Sequence, residues 1–148
     1  MPLTPSVHPP PSPAALAALG AHRFFISFPI ACFILALMTD VAYWRTSFLM
    51  WHDFSAWLLF AGLVGGLFAA LAALTGVALG ARSLSWAYGL GWATVFVLAI
   101  VNSLYHAGDG WTAIVPTGLT LSAATVLAML ATVWAGGERV RAGGLRHA

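Results

Sequence analysis

Residues 24–40 read FFISFPIACFILALMTD. From Phe24 to Met38 the side chains are apolar except for Ser27 and Pro29, and a carboxylate, Asp40, closes the run. No alternation of polar and apolar positions runs through it, so a half-buried strand is excluded and a helix greasy on every side is expected. Such a helix needs lipid or a large protein interior around it.

The rest of the chain decides for lipid. Of 148 residues, 61% are hydrophobic and 7% charged, with a mean hydropathy of +0.91. That composition leaves too little polar surface for a small water-soluble domain. Four apolar runs follow one another over 24–44, 54–79, 84–104 and 111–134, each at least twenty-one residues long. At about 1.5 Å per residue, roughly 20 residues cross a hydrocarbon core about 30 Å thick. A membrane β-barrel would need short segments of alternating polarity, and none is present. The expected fold is an all-α membrane protein, a bundle of four transmembrane helices over residues 22–136.

The segment 1–21 carries six of the eight prolines and is expected to be an extended tail, and 137–148 a short basic one. Tyr43, Trp44 and Arg45 follow the first run where a secretory signal would carry a small-residue cleavage site, so that run is expected to stay as an anchor. Cys32 has no second cysteine to pair with and reads as a small residue facing lipid or bundle.

Arginine distribution sets an expected orientation. With four spans, Arg23, Arg82, Arg139, Arg141 and Arg146 share one face with Glu138, whereas Arg45 shares the other with Asp40, Asp53 and Asp109. Basic residues in short loops are retained in the cytoplasm, so both termini are expected there. The isoelectric point near 9.2 thus reports topology. No basic stripe with interleaved aromatics tracks a nucleic acid. Tyr43, Trp44, Trp51, Trp57, Tyr105 and Trp111 fall near the outer boundary and Trp86 and Trp134 near the inner one, as an interfacial belt does.

In lipid, helices meet where small residues let backbones approach. Gly62, Gly66, Ala69, Ala73, Gly76 and Gly80 recur at spacings of three and four on the second helix and are expected to form a packing seam. Gly118, Ser122, Thr125, Met129, Thr132 and Gly136 form a mildly polar stripe on the fourth. Its hydroxyls can bond across the bundle or back to their own turn.

Asp40 lies five residues before Arg45, about 7 Å below the outer end of its helix. A carboxylate there needs protein or water beside it. Asn102 and His106, one turn apart on the third helix, fall at a similar depth, and His52, Asp53 and Asp109 approach from the loops. Asp40, His52, Asp53, Asn102, His106 and Asp109 therefore form a candidate outer polar cluster. Its bland reading is a polar cap that fixes helix register. Two sharper readings are a proton relay and a site in which His52 and His106 ligate a metal or a b-type haem. No HExxH, CxxC, Walker loop, nucleophile elbow or GxGxxG accompanies them, so no catalytic residue and no cofactor is assigned.

His22, then Phe28-Pro29-Ile30, then Asp40, a Gly/Ala-rich second helix and a closing Trp134-Ala135-Gly136-Gly137-Glu138 together resemble the bacterial membrane family called domain of unknown function 2231. The resemblance implies a polytopic membrane protein without an assigned activity. Some related domains are joined to redox modules such as Rieske iron-sulfur or quinoprotein dehydrogenase domains. Many relatives carry a His and an Asn one turn later in the third helix, where this chain has Tyr88 and Trp92, and this weakens a cofactor reading. A non-enzymatic accessory or anchoring subunit is expected, embedded in lipid beside other membrane subunits or its own copies. The alternative is an electron-transfer subunit with b-type haem between His52 and His106.

Overall fold

The computed structural model describes residues 10–83, 85–108 and 114–144, with side chains to 136. Helix α1 spans Pro13–Thr46, α2 Leu49–Ala78, α3 Trp86–His106 and α4 Leu119–Gly144, the last preceded by a kinked segment at Ile114–Gly118. All four are long and apolar enough to cross a membrane, and no strand occurs among the described residues.

The first helix starts earlier than the proline content predicts, so residues 13–21 are helical. Ser12 is the N-cap, its hydroxyl accepting from the amide of Ala15, and Pro13 follows in the first turn. There its missing N–H would have been unpartnered in any case. An alanine-rich stretch then carries the helix into the apolar run. At 34 residues, α1 is about 50 Å long. It exceeds the hydrocarbon thickness, and the stretch from Arg23 to Arg45 covers about 33 Å.

Ser47, with φ 56°, ends α1 by donating its amide to the Tyr43 carbonyl at 2.7 Å. Only Ser47 and Phe48 separate α1 from α2. This turn makes the two helices antiparallel neighbours with the most extensive contact in the bundle. It also brings His52 and Asp53 into the first turns of α2, whereas the sequence suggests a loop. Helices α3 and α4 form the next most extensive pair, and α1–α4 and α2–α3 contacts close the ring. Gly80, at φ 69°, ends α2 by donating to the Val77 carbonyl. It belongs to a turn and lies outside the seam expected to contain it.

Val115, at φ −118° and ψ 121°, is extended, as a residue before proline prefers to be. Pro116 therefore precedes α4, which begins at Leu119 rather than at 111. The helix runs on to Gly144, so much of the expected carboxyl-terminal tail is helical. The core is formed by Phe33, Ala36, Leu59, Trp92, Val95, Ala99, Val126 and Met129. Large apolar residues such as Met38, Trp57, Leu67, Leu104 and Leu130 face outward, as lipid requires.

Glycines sit where α2 approaches its neighbours. A Cβ at Gly62 would stand 2.5 Å from Cε1 of Phe33, one at Gly65 would strike Cβ of Phe28, and one at Gly66 would strike the ring of Phe96. The close approach to α1 thus involves Gly62, Gly65 and the fully buried Ala69, and the three-and-four spacing does not include Gly65. Farther along, Ala73 and its neighbours border a cleft of about 320 Å³ among α1, α2 and α3, also lined by His22, Arg82 and Tyr88. On α4 the expected stripe faces inward: Ser122, Thr125, Met129 and Thr132 are all buried.

Trp44, Trp57, Tyr105, Trp86 and Trp134 are exposed, in keeping with an interfacial belt, but Tyr43 is only 8% exposed. Its ring lies 6.5 Å from that of His52, directed into the bundle and away from lipid.

Candidate functional site

Asp40, six residues before the end of α1, is fully buried, as are Asn102 and, to within 2%, His106 and Ser122. On α3, Asn102 and His106 stack one above the other because they are four residues apart. The His106 ring donates Nδ1–H to the Asn102 main-chain carbonyl at 3.0 Å. Its Nε2 lies 2.9 Å from Asp40 Oδ1. The Ser122 hydroxyl of α4 donates to Asp40 Oδ2 at 2.5 Å, and Asn102 Nδ2 donates to Ser122 Oγ at 2.7 Å. A single carboxylate thereby joins α1 to α3 and α4.

Three of the six expected cluster members, Asp40, Asn102 and His106, therefore meet. Asn102 reaches Asp40 through Ser122 and not directly, which differs from the expected contact. Ser122 is visible in the sequence only as one position of a small-residue stripe. Its role follows from α4 crossing α1 at the depth of Asp40, which residue spacing within α4 does not specify. His52 stacks on His106 with centroids 5.8 Å apart and planes inclined by 29°. Asp53 lies 3.3 Å from His52 Nδ1, but its side chain is 68% exposed and stays outside the buried network. Asp109 lies outside the described residues.

A second polar tie joins α1 to α2 nearby. Thr39 Oγ1 and Ser55 Oγ are 2.7 Å apart, and Ser55 is fully buried. Thr39 also bonds to the carbonyls of Leu35 and Ala36 on its own helix. The sequence does not distinguish either hydroxyl, because mid-helix Ser and Thr usually bond back to their own turn. Thr125 and Thr132 of α4 do so, to Leu121 and Ala128.

Burial sets the energetic character of the network. An ionised carboxylate removed from water is costly unless hydrogen bonds and a compensating charge or proton surround it. Both Asp40 oxygens are engaged, as are both His106 nitrogens. Asn102 Oδ1 is the one atom of these four side chains that is buried without a partner.

The same geometry tests the haem reading. A ligating imidazole needs one nitrogen open toward iron, but His106 spends Nδ1 on a carbonyl and Nε2 on Asp40. Its ring faces that of His52 with the planes stacked, so the two do not present nitrogens to a common atom. These residues do not fit a bis-imidazole haem iron. Among the described residues, no group of three or more His, Cys, Asp or Glu side chains is positioned to hold a metal ion.

Four apolar helices, three of them joined at one end by a buried Asp–His–Ser–Asn network, define an integral, multi-pass membrane protein. The chain belongs to the family described as predicted membrane protein, domain of unknown function 2231, which it matches over residues 18–148. No curated protein and no solved structure matches it.

Proposed function

We propose that the protein is a non-enzymatic accessory or anchoring subunit of a bacterial inner-membrane assembly, with both termini in the cytoplasm. The observation that carries this reading is the saturation of Asp40. Both of its oxygens are bonded within the bundle, at zero exposure. A carboxylate so enclosed fixes the register of three helices and presents no group to a substrate.

The orientation is supported by charge. Arg82 lies in the α2–α3 connection and Arg23 about 33 Å along α1 from Arg45, so Arg23 and Arg82 fall at the end opposite the polar network. Arg139 and Arg141 lie in the last turns of α4, toward the same end, and Arg146 lies outside the described residues. The positive-inside bias assigns that end to the cytoplasm. A reporter active only in the cytoplasm, fused after Ala148, is expected to be active. Activity solely from a periplasmic reporter would reverse the topology.

The subunit role is tested by native gel electrophoresis of gently solubilised membranes. The protein is expected to migrate within a larger assembly that shifts or disappears when its gene is deleted. Migration only as a monomer or a homo-oligomer, with no other complex altered, would refute the role.

A further inference from the structure

Hydrogen-bond directions around His106 fix how many protons the buried centre holds. Nδ1 lies 3.0 Å from a main-chain oxygen, which can only accept, so Nδ1 carries a hydrogen. Nε2 lies 2.9 Å from Asp40 Oδ1. A neutral imidazole protonated at Nδ1 has a bare lone pair at Nε2, and an ionised carboxylate has only lone pairs. Two acceptors at that distance repel, and both side chains are 0% exposed, so bulk water does not screen them. One further proton therefore lies between the two atoms. It resides on Nε2 beside an ionised Asp40, or on Oδ1 beside a neutral His106, and in either arrangement the pair carries no net charge.

Among the described residues, no other charged group is bonded to this pair. On α1, Tyr43 lies beyond Asp40 with its ring near His52, and Arg45 is placed over the Trp44 ring at 5.2 Å. On α2, His52 stacks on His106, and Asp53 engages His52. On α3, Tyr105 is exposed, and on α4 the nearby groups are the hydroxyls of Ser122 and Thr125. His52 is 18% exposed, against 0% for the His106 side chain, and its partner Asp53 reaches solvent. The His52 ring thus covers His106 on the side of the aqueous surface.

We infer that Asp40 and His106 form a buried binding site for a single proton, covered at the α1–α2 end of the bundle by the stacked ring of His52. Loss of that proton leaves the pair with one negative charge in a region with no solvent exposure. The subunit role proposed above is not needed for this inference.

The test is nitrogen-15 and carbon-13 magnetic resonance of the full chain in lipid nanodiscs near neutral pH. Either a doubly protonated His106 with an ionised Asp40, or a neutral His106 protonated at Nδ1 with a carboxylic acid at Asp40, is the expected result. A neutral His106 beside an ionised Asp40 would overturn the inference. In Asp40→Asn, the amide donates to Nε2 and its oxygen accepts from Ser122, so the bonds persist without the shared proton, and His106 is expected to be neutral. A cationic His106 in that variant would show that the proton is held without Asp40. Should the variant fail to fold, the wild-type spectrum still decides whether the proton is present.

Discussion

Asp40→Leu is expected to lower stability by about 3 kcal/mol, whereas Asp40→Asn should stay within about 1 kcal/mol of the parent. Leucine leaves His106 Nε2 and the Ser122 hydroxyl facing hydrocarbon in a region with no exposure. Interhelical hydrogen bonds in membranes average only about 0.6 kcal/mol, which sets the lower end. Removing one partner of a buried, charge-compensated pair costs about 3–5 kcal/mol in soluble proteins. The second figure is the better guide because the carboxylate serves α3 and α4 together. Asparagine retains a donor for His106 and an acceptor for Ser122 at nearly the same size. Thermal melting of the two variants in one detergent measures the difference, and equal melting temperatures would contradict it.

Gly65→Leu is expected to destabilise the bundle by about 2–3 kcal/mol, with loss of folded protein in detergent. Any Cβ at position 65 meets Cβ of Phe28, an atom fixed to the α1 backbone that no rotamer change moves away. The two helices must separate, and α1–α2 is the most extensive contact in the protein. Gly66→Leu should be milder, since its obstacle is the far edge of the Phe96 ring, which can turn aside. Leu67→Ala should be nearly silent because Leu67 is 58% exposed toward lipid. The yield of monodisperse protein in detergent ranks the three, and Gly65→Leu matching Leu67→Ala would refute the close approach.

The spans are legible in the sequence because hydrocarbon imposes length and polarity on every helix. Their ends are less so. The proline content of 1–21 predicts a tail, yet Ser12-Pro13 before Ala-Ala-Leu-Ala-Ala is a helix start in its own right, as the Ser12 cap demonstrates. Likewise, the two-residue turn after Thr46 folds His52 back over His106, and nothing in the local pattern distinguishes that turn from a longer loop.

Asp40, Asn102 and His106 are recognisable from depth alone, since rise per residue sets height in a membrane. Azimuth is not fixed by depth. The sequence therefore leaves open that Ser122 stands between Asn102 and Asp40, and that Asp53 points to water. Gly65 escapes notice for a related reason. Residues 62, 65 and 66 all lie near one side of α2, and only the positions of Phe28 and Phe96 show which neighbour each one meets.

The central claim is that Asp40 and His106 hold one another across the core, and a double-mutant cycle with Asp40→Leu and His106→Leu tests it most directly. If the pair is a unit, the double variant melts no lower than the weaker single variant, because each leucine already removes what the other depends on. Losses that simply add would show that the two residues do not interact, and the network described above would then be wrong.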